Sequence, residues 1–151
     1  MLLLNLSACQ NDTGPVQSQF ITFSSAGFVP GKEYVFLPFD DADQSLNSDS
    51  GYNIFVDVRY DNSCKIRMLP LHIELSSPSV DSILEKTIEV ALFDDNNIAL
   101  GRGHYGIFEQ FHPLFLNIEP KEDYVISLMS REKENQGILA FGIVNRKTNH
   151  Q

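Results

Sequence analysis

The residues best placed to do chemistry stand at the front of the chain. Leu6-Ser7-Ala8 runs into Cys9 behind the apolar Leu2-Leu3-Leu4. Small residues just before a cysteine let an extended backbone enter a signal peptidase, and a free thiol can accept a diacylglyceryl group. Leu6 to Cys9 therefore reads as a lipobox, with cleavage before Cys9 and a lipid on its sulfur. A secretory signal also opens with positive charge, yet no Lys or Arg precedes Lys32. Either an upstream start supplies a basic segment, or the match is a short apolar strand with a buried cysteine. The whole pattern sits at the extreme front, and that favours the lipobox.

Cys64 is the other cysteine. If Cys9 is acylated, Cys64 has no partner in the chain and is expected to be a buried thiol. A Cys9–Cys64 disulfide in an unlipidated secreted form is the rival.

Hydrolysis would need a nucleophile with its base, paired carboxylates or a metal cluster. His104, Glu109 and His112 fall within nine residues and are zinc-ligand types, but they do not form His-Glu-x-x-His. The acidic stretch Asp40 to Gly51 fails the calcium-loop template: counted from Asp41, positions six and twelve hold Leu46 and Tyr52, not Gly and Glu. Gly101-Arg102-Gly103-His104-Tyr105-Gly106 lacks the Gly-Lys-Ser/Thr ending of a phosphate loop, and its alternate glycines suggest a bulge. No Gly-x-Ser-x-Gly elbow occurs. The chain is thus expected to be no enzyme, with no catalytic residue, no metal and no cofactor beyond the lipid on Cys9. Tyr105, Phe108, Phe111 and Phe115 cluster around one stretch. The first three make a candidate surface for a protein partner or a glycan, against the simpler reading of core packing.

The elements that must carry these residues read as strands. At 151 residues, 42% of them hydrophobic, the chain can bury one sizeable core. Its apolar set is rich in aromatic and β-branched types. Tyr52, Ile54, Val56, Val58 and Tyr60 alternate with Asn53, Asp57 and Arg59, which places Asp57 and Arg59 as neighbours on the opposite face. Leu69, Leu71, Ile73 and Leu75 alternate with Pro70, His72 and Glu74. Ile88, Val90 and Leu92 lead through Asp94-Asp95-Asn96-Asn97 to Ile98-Ala99-Leu100, a hairpin signal. Further strands are expected at Phe20 to Phe23, Glu33 to Leu37, Phe115 to Ile118, Tyr124 to Ser130 and Ile138 to Val144. Ser82 to Lys86 could form one helical turn.

About eight to ten short strands without a long helix predict an all-β fold, a single antiparallel two-sheet β-sandwich. A flattened barrel is the alternative. The expected divisions are a signal remnant over 1–8, the lipidated Cys9 with a flexible tether over 9–19, the sandwich over 20–145 and a polar tail over 146–151. A net charge of −9 argues against nucleic acid as a partner and against electrostatic adhesion to anionic lipid. Acyl chains on Cys9 would then be the contact with the bilayer.

The order of these motifs resembles a known family. Lipobox, polar tether, Tyr52-x-Ile54-x-Val56-x-Val58-Arg59-Tyr60, Leu69-Pro70-Leu71-x-Ile73, Ile88-x-Val90-x-Leu92-x-Asp94, Gly101-x-Gly103-x-x-Gly106-Ile107 and a closing Gly142-Ile143 strand resemble the GldH-type gliding-motility lipoproteins of the Bacteroidetes. The resemblance implies an outer-membrane lipoprotein that supports gliding motility and the linked type IX secretion machinery through contacts with other envelope proteins, not catalysis. Gln10 stands where an inner-membrane retention signal would place Asp, and only Asp12 lies close behind Cys9; outer membrane and periplasmic face are the expected address. A glycan-binding accessory lipoprotein of a polysaccharide-uptake system is the second reading.

Overall fold

The computed structural model describes residues 16–39, 51–120 and 123–148, the side chains of 16 and 80–83 excepted. The lipobox and most of the acidic stretch Asp40 to Gly51 lie outside these residues.

The described chain forms nine strands: β1 (Val16–Thr22), β2 (Tyr34–Phe36), β3 (Tyr52–Asp61), β4 (Met68–Ser77), β5 (Val80–Ala91), β6 (Arg102–His104), β7 (Ile107–Ile118), β8 (Val125–Met129) and β9 (Ile138–Lys147). They assemble into a five-stranded sheet in the order β1-β9-β3-β7-β6 and a four-stranded sheet in the order β2-β8-β4-β5. Every pairing is antiparallel. The all-β sandwich expected from the alternating pattern is the observed fold. Among the described residues no helix is long and apolar enough to cross a membrane.

Alternation decides what is buried. Tyr52, Ile54, Val56, Val58 and Tyr60 of β3 enter the core, as do Leu69, Leu71, Ile73 and Leu75 of β4 from the other sheet. Fully burying each such side chain contributes about 1.5–3 kcal/mol. Phe23, Phe28, Tyr34 and Phe141 fill one region edge to face, with ring centroids 5.0–6.4 Å apart. The Tyr60 hydroxyl is buried, so it needs partners. It donates to Leu92 O at 2.7 Å and accepts from Gly101 N at 3.0 Å, tying the connection after β5 to the centre of the other sheet.

Several boundaries differ from the pattern reading. β1 begins at Val16, not Phe20, because Val16 to Gln19 pair with Arg146 to Ile143 of β9. The expected tether therefore loses its last four residues to the sheet. The expected polar tail over 146–151 is structured at its start, since Arg146 and Lys147 end β9 and pair with Val16 and Tyr52, and the residue before them is held too. Asn145 is 1% exposed; it accepts from Gln17 N at 3.2 Å and donates to Pro38 O. Buried amides hold only where such partners exist. Ser82 to Lys86, considered for a helical turn, runs as strand within β5, with Leu84 to Lys86 facing Leu75 to Ile73 of β4. The hairpin expected between Ile88 and Leu100 shrinks to a Phe93–Ala99 bridge, because β5 takes β4 as its partner.

Prolines fall where no ladder bond is lost. Pro113 lies in β7 beside a register shift, beyond the short reach of β6. Pro70 precedes His72, where β8 first joins β4.

Gly137 closes the loop before β9 with φ +83°, and a Cβ there would lie 2.3–2.8 Å from the N, Cα and Cβ of Cys64. Neither the left-handed backbone nor the space admits a side chain. Gly137→Ala is expected to destabilise the domain by roughly 2–4 kcal/mol. Urea unfolding would read this as a lower midpoint at unchanged slope.

Candidate functional site

The candidate surface of Tyr105, Phe108 and Phe111 does not hold together in three dimensions. Tyr105 occupies the β6–β7 turn, 92% exposed, with φ +52° and its ring edge-on to His104 at 4.2 Å. Phe108 lies opposite Tyr60 in the ladder and packs on its ring at 5.5 Å, at the border of the core. Phe111 lies opposite Asp57 and belongs to the outer face. Strand alternation thus sends Phe108 and Phe111 to opposite sides of the sheet, and Phe115 packs against the core. The set His104, Glu109 and His112 is split in the same way. Glu109 is on the outer face, whereas His112 lies opposite the core residue Val56. Burial, and then the Lys86 charge, lower the His112 pKa. Cys64 is a free, buried thiol, and burial pushes its pKa up, which makes it a poor nucleophile.

What the fold does assemble is a network on the outer face of the five-stranded sheet. Arg59 pairs with Glu109 through Nε at 3.0 Å and lies 3.8 Å from Asp57. Its guanidinium stacks over Phe20 of β1 at 4.0 Å. Phe20 in turn lies across Gly142, where a Cβ would meet the ring at 2.3 Å. Arg146 reaches over Phe55 and Phe111 at 5.5 and 5.6 Å. Asp57 sits between Phe111 on β7 and Gly142 on β9. The result is a carboxyl 1% exposed on the face the alternation marks as outer. Neither of its oxygens meets a donor in hydrogen-bonding geometry.

Burial first, then the neighbouring Glu109 carboxyl, push the Asp57 pKa to about 8, against the opposing pull of Arg59. Asp57 is therefore a neutral acid at neutral pH. The neighbourhood of Asp57 and Arg59 was legible in the spacing, and the burial of Asp57 was not. The missed signal is Phe55, an aromatic on the supposedly polar face of β3.

A second feature lies on the outer face of the four-stranded sheet. A groove of about 780 Å³ is lined by Glu33, His72, Glu74, Thr87, Arg131 and Lys133, among others. In its floor His72 Nε2 lies 3.2 Å from Glu74 Oε1, and Nδ1 lies 3.3 Å from Thr87 Oγ1.

A two-sheet antiparallel sandwich with buried interior and two distinct outer faces is the class this architecture defines. Within that class, a family model described as GldH lipoprotein matches residues 41–144. The chain belongs to the GldH lipoprotein family. The match agrees with the resemblance read from the strand motifs. No curated protein matches the chain. Among solved structures, the vertex protein P5 of PRD1 is similar at 9% identity and a TM-score of 0.40, over 89% of this chain and 96% of that one.

The Asp57 geometry sets a pH dependence. Between pH 4 and 8, roughly, the folded state keeps a proton that the unfolded chain releases, so stability falls as pH rises, by at most about 1.4 kcal/mol per pH unit. Asn is neutral at every pH and nearly the same shape. Asp57→Asn is expected to melt like the parent near pH 4, and well above it at pH 8. Thermal melts of both proteins across this range check the sign; parallel curves would contradict it.

Proposed function

We propose that this protein is a non-enzymatic lipoprotein of the outer membrane, held by acyl chains on Cys9, that acts through protein contacts in an envelope assembly of the gliding-motility and type IX secretion kind. The observation that carries the reading is family membership over residues 41–144, which takes in β3 to β8 and most of β9. Contact surfaces support it. Met68, Ile98 and Leu100 are 46%, 61% and 47% exposed. They stand at one end of the sandwich, where Leu92 N and Phe93 N both bond to Arg67 O. Exposed apolar side chains gathered in this way favour protein partners.

The register of β1 adds an orientation. Val16 pairs with Arg146, and Lys147 with Tyr52, so the chain arriving from Cys9 meets the sandwich at that end. Seven residues of extended chain reach at most about 25 Å. Anchored through Cys9, the domain stays close to the bilayer, and its periplasmic face suits contacts with membrane-embedded machinery.

Cys9→Ser is expected to abolish incorporation of labelled fatty acid and to shift the protein from the membrane pellet to the soluble fraction. Crosslinking in intact envelopes is expected to recover motility or secretion subunits with the parent. Retention on polysaccharide without such partners would overturn the assembly role. Membrane retention of the serine variant would overturn the anchor.

A further inference from the structure

We propose that His72, Glu74 and Glu85 form a divalent transition-metal site on the outer face of the four-stranded sheet, with zinc as the fitting ion. One ligand atom from each of the three lies within 4.8 Å of the others. Zinc ligands about 2.0–2.2 Å from a shared ion sit somewhat closer together than this. Glu85 is exposed, and a rotamer change closes the difference.

The backbone supplies the arrangement. His72 and Glu74 are two apart on β4 and share a face, and Glu85 stands directly opposite Glu74 on β5. Two ligands on one strand and a third across the ladder form a three-point cradle on hydrogen-bonded scaffold, which holds geometry better than a loop.

Charge points the same way. Carboxylates directly opposite one another repel, and Glu85 has neither an ion pair nor a hydrogen bond among the described residues. The cation nearest in sequence does not relieve it: Lys86 turns away and donates to Leu114 O at 3.0 Å. Among the described residues Glu74 meets His72 alone. A bound cation would turn the repulsion into two favourable contacts.

His72 has the support a ligand needs. Thr87 Oγ1 beside Nδ1 fixes the ring, as outer partners of metal-bound imidazoles do, and leaves Nε2 toward the carboxylates. One imidazole and two carboxylates suit zinc among the divalent ions. Three protein ligands leave further coordination positions open, and His72 and Glu74 line the groove above. The trio was hidden in the sequence because ten residues, the β4–β5 turn among them, separate Glu74 from Glu85. It departs from the metal-free expectation, which weighed His104, Glu109 and His112 and the acidic stretch Asp40 to Gly51.

The test is calorimetric titration of zinc chloride alone into the full-length lipoprotein in detergent, after chelator dialysis, at neutral pH. One equivalent is expected at micromolar affinity or tighter. Glu85→Gln and His72→Ala should each weaken it by roughly tenfold or more. Glu89→Gln, which removes another exposed carboxylate of β5, should leave it unchanged. Matching circular dichroism spectra confirm that the variants fold, and Glu85→Gln, at an exposed position, keeps the test decisive if His72→Ala does not. Failure to saturate at one equivalent, or a single equivalent that survives Glu85→Gln, overturns the site.

Discussion

The structure depends on covering both faces of β3. Its core face is a run of alternating apolar residues from Tyr52 to Tyr60, all buried. Its outer face carries Phe55, Asp57 and Arg59, and at Asp57 this face is covered too. An isolated carboxylate could not be buried there at tolerable cost. The protein resolves the conflict by letting Asp57 keep its proton and by giving Arg59 a carboxylate in Glu109. Phe20 and Phe111 then close over a site with little net charge to desolvate.

That solution explains the placement of β1. Phe20 comes from β1, and its ring requires Gly142, since any side chain there would occupy the same space. Asn145 completes the clamp by binding Gln17 and the Pro38 carbonyl. The front of the folded domain is thus fastened to β9 through backbone pairing, an amide and a cation–π stack together. A strand paired on one side only would otherwise be the first part of a sheet to open. Fastened in this way, β1 can carry a load applied at its start into the centre of the five-stranded sheet through β9 and β3.

Strand identity was legible in the sequence because period-two alternation is a local property. β3 and β4 could be read almost residue by residue, and so could the two-sheet class. Termini were harder, because Gln17 to Gln19 are polar and become strand only by pairing with β9, more than a hundred residues away. Ser82 to Lys86 followed the same rule, with β4 as the partner that decided. The candidate surface failed for a reason the sequence did contain. Phe108 and Phe111 are an odd number of residues apart, and in a strand such residues face opposite ways. Parity carries meaning only once a segment is known to be extended, and the strand expected here began only at Phe115.

The two outer faces then differ in how their charges are balanced. On the five-stranded sheet Arg59, Glu109 and a protonated Asp57 compensate one another, and Arg59 and Arg146 stand over phenylalanine rings. On the four-stranded sheet Glu74 and Glu85 stand in register, and among the described residues Glu74 has the His72 imidazole as its one partner. A cross-strand like-charge pair costs on the order of 0.2–1 kcal/mol, little against the stability of a domain this size. The fold can carry that cost without strain elsewhere. It is also the kind of standing repulsion that a divalent ion removes at once. The first face spends its charged groups on holding the fold together, and the second leaves them free to bind.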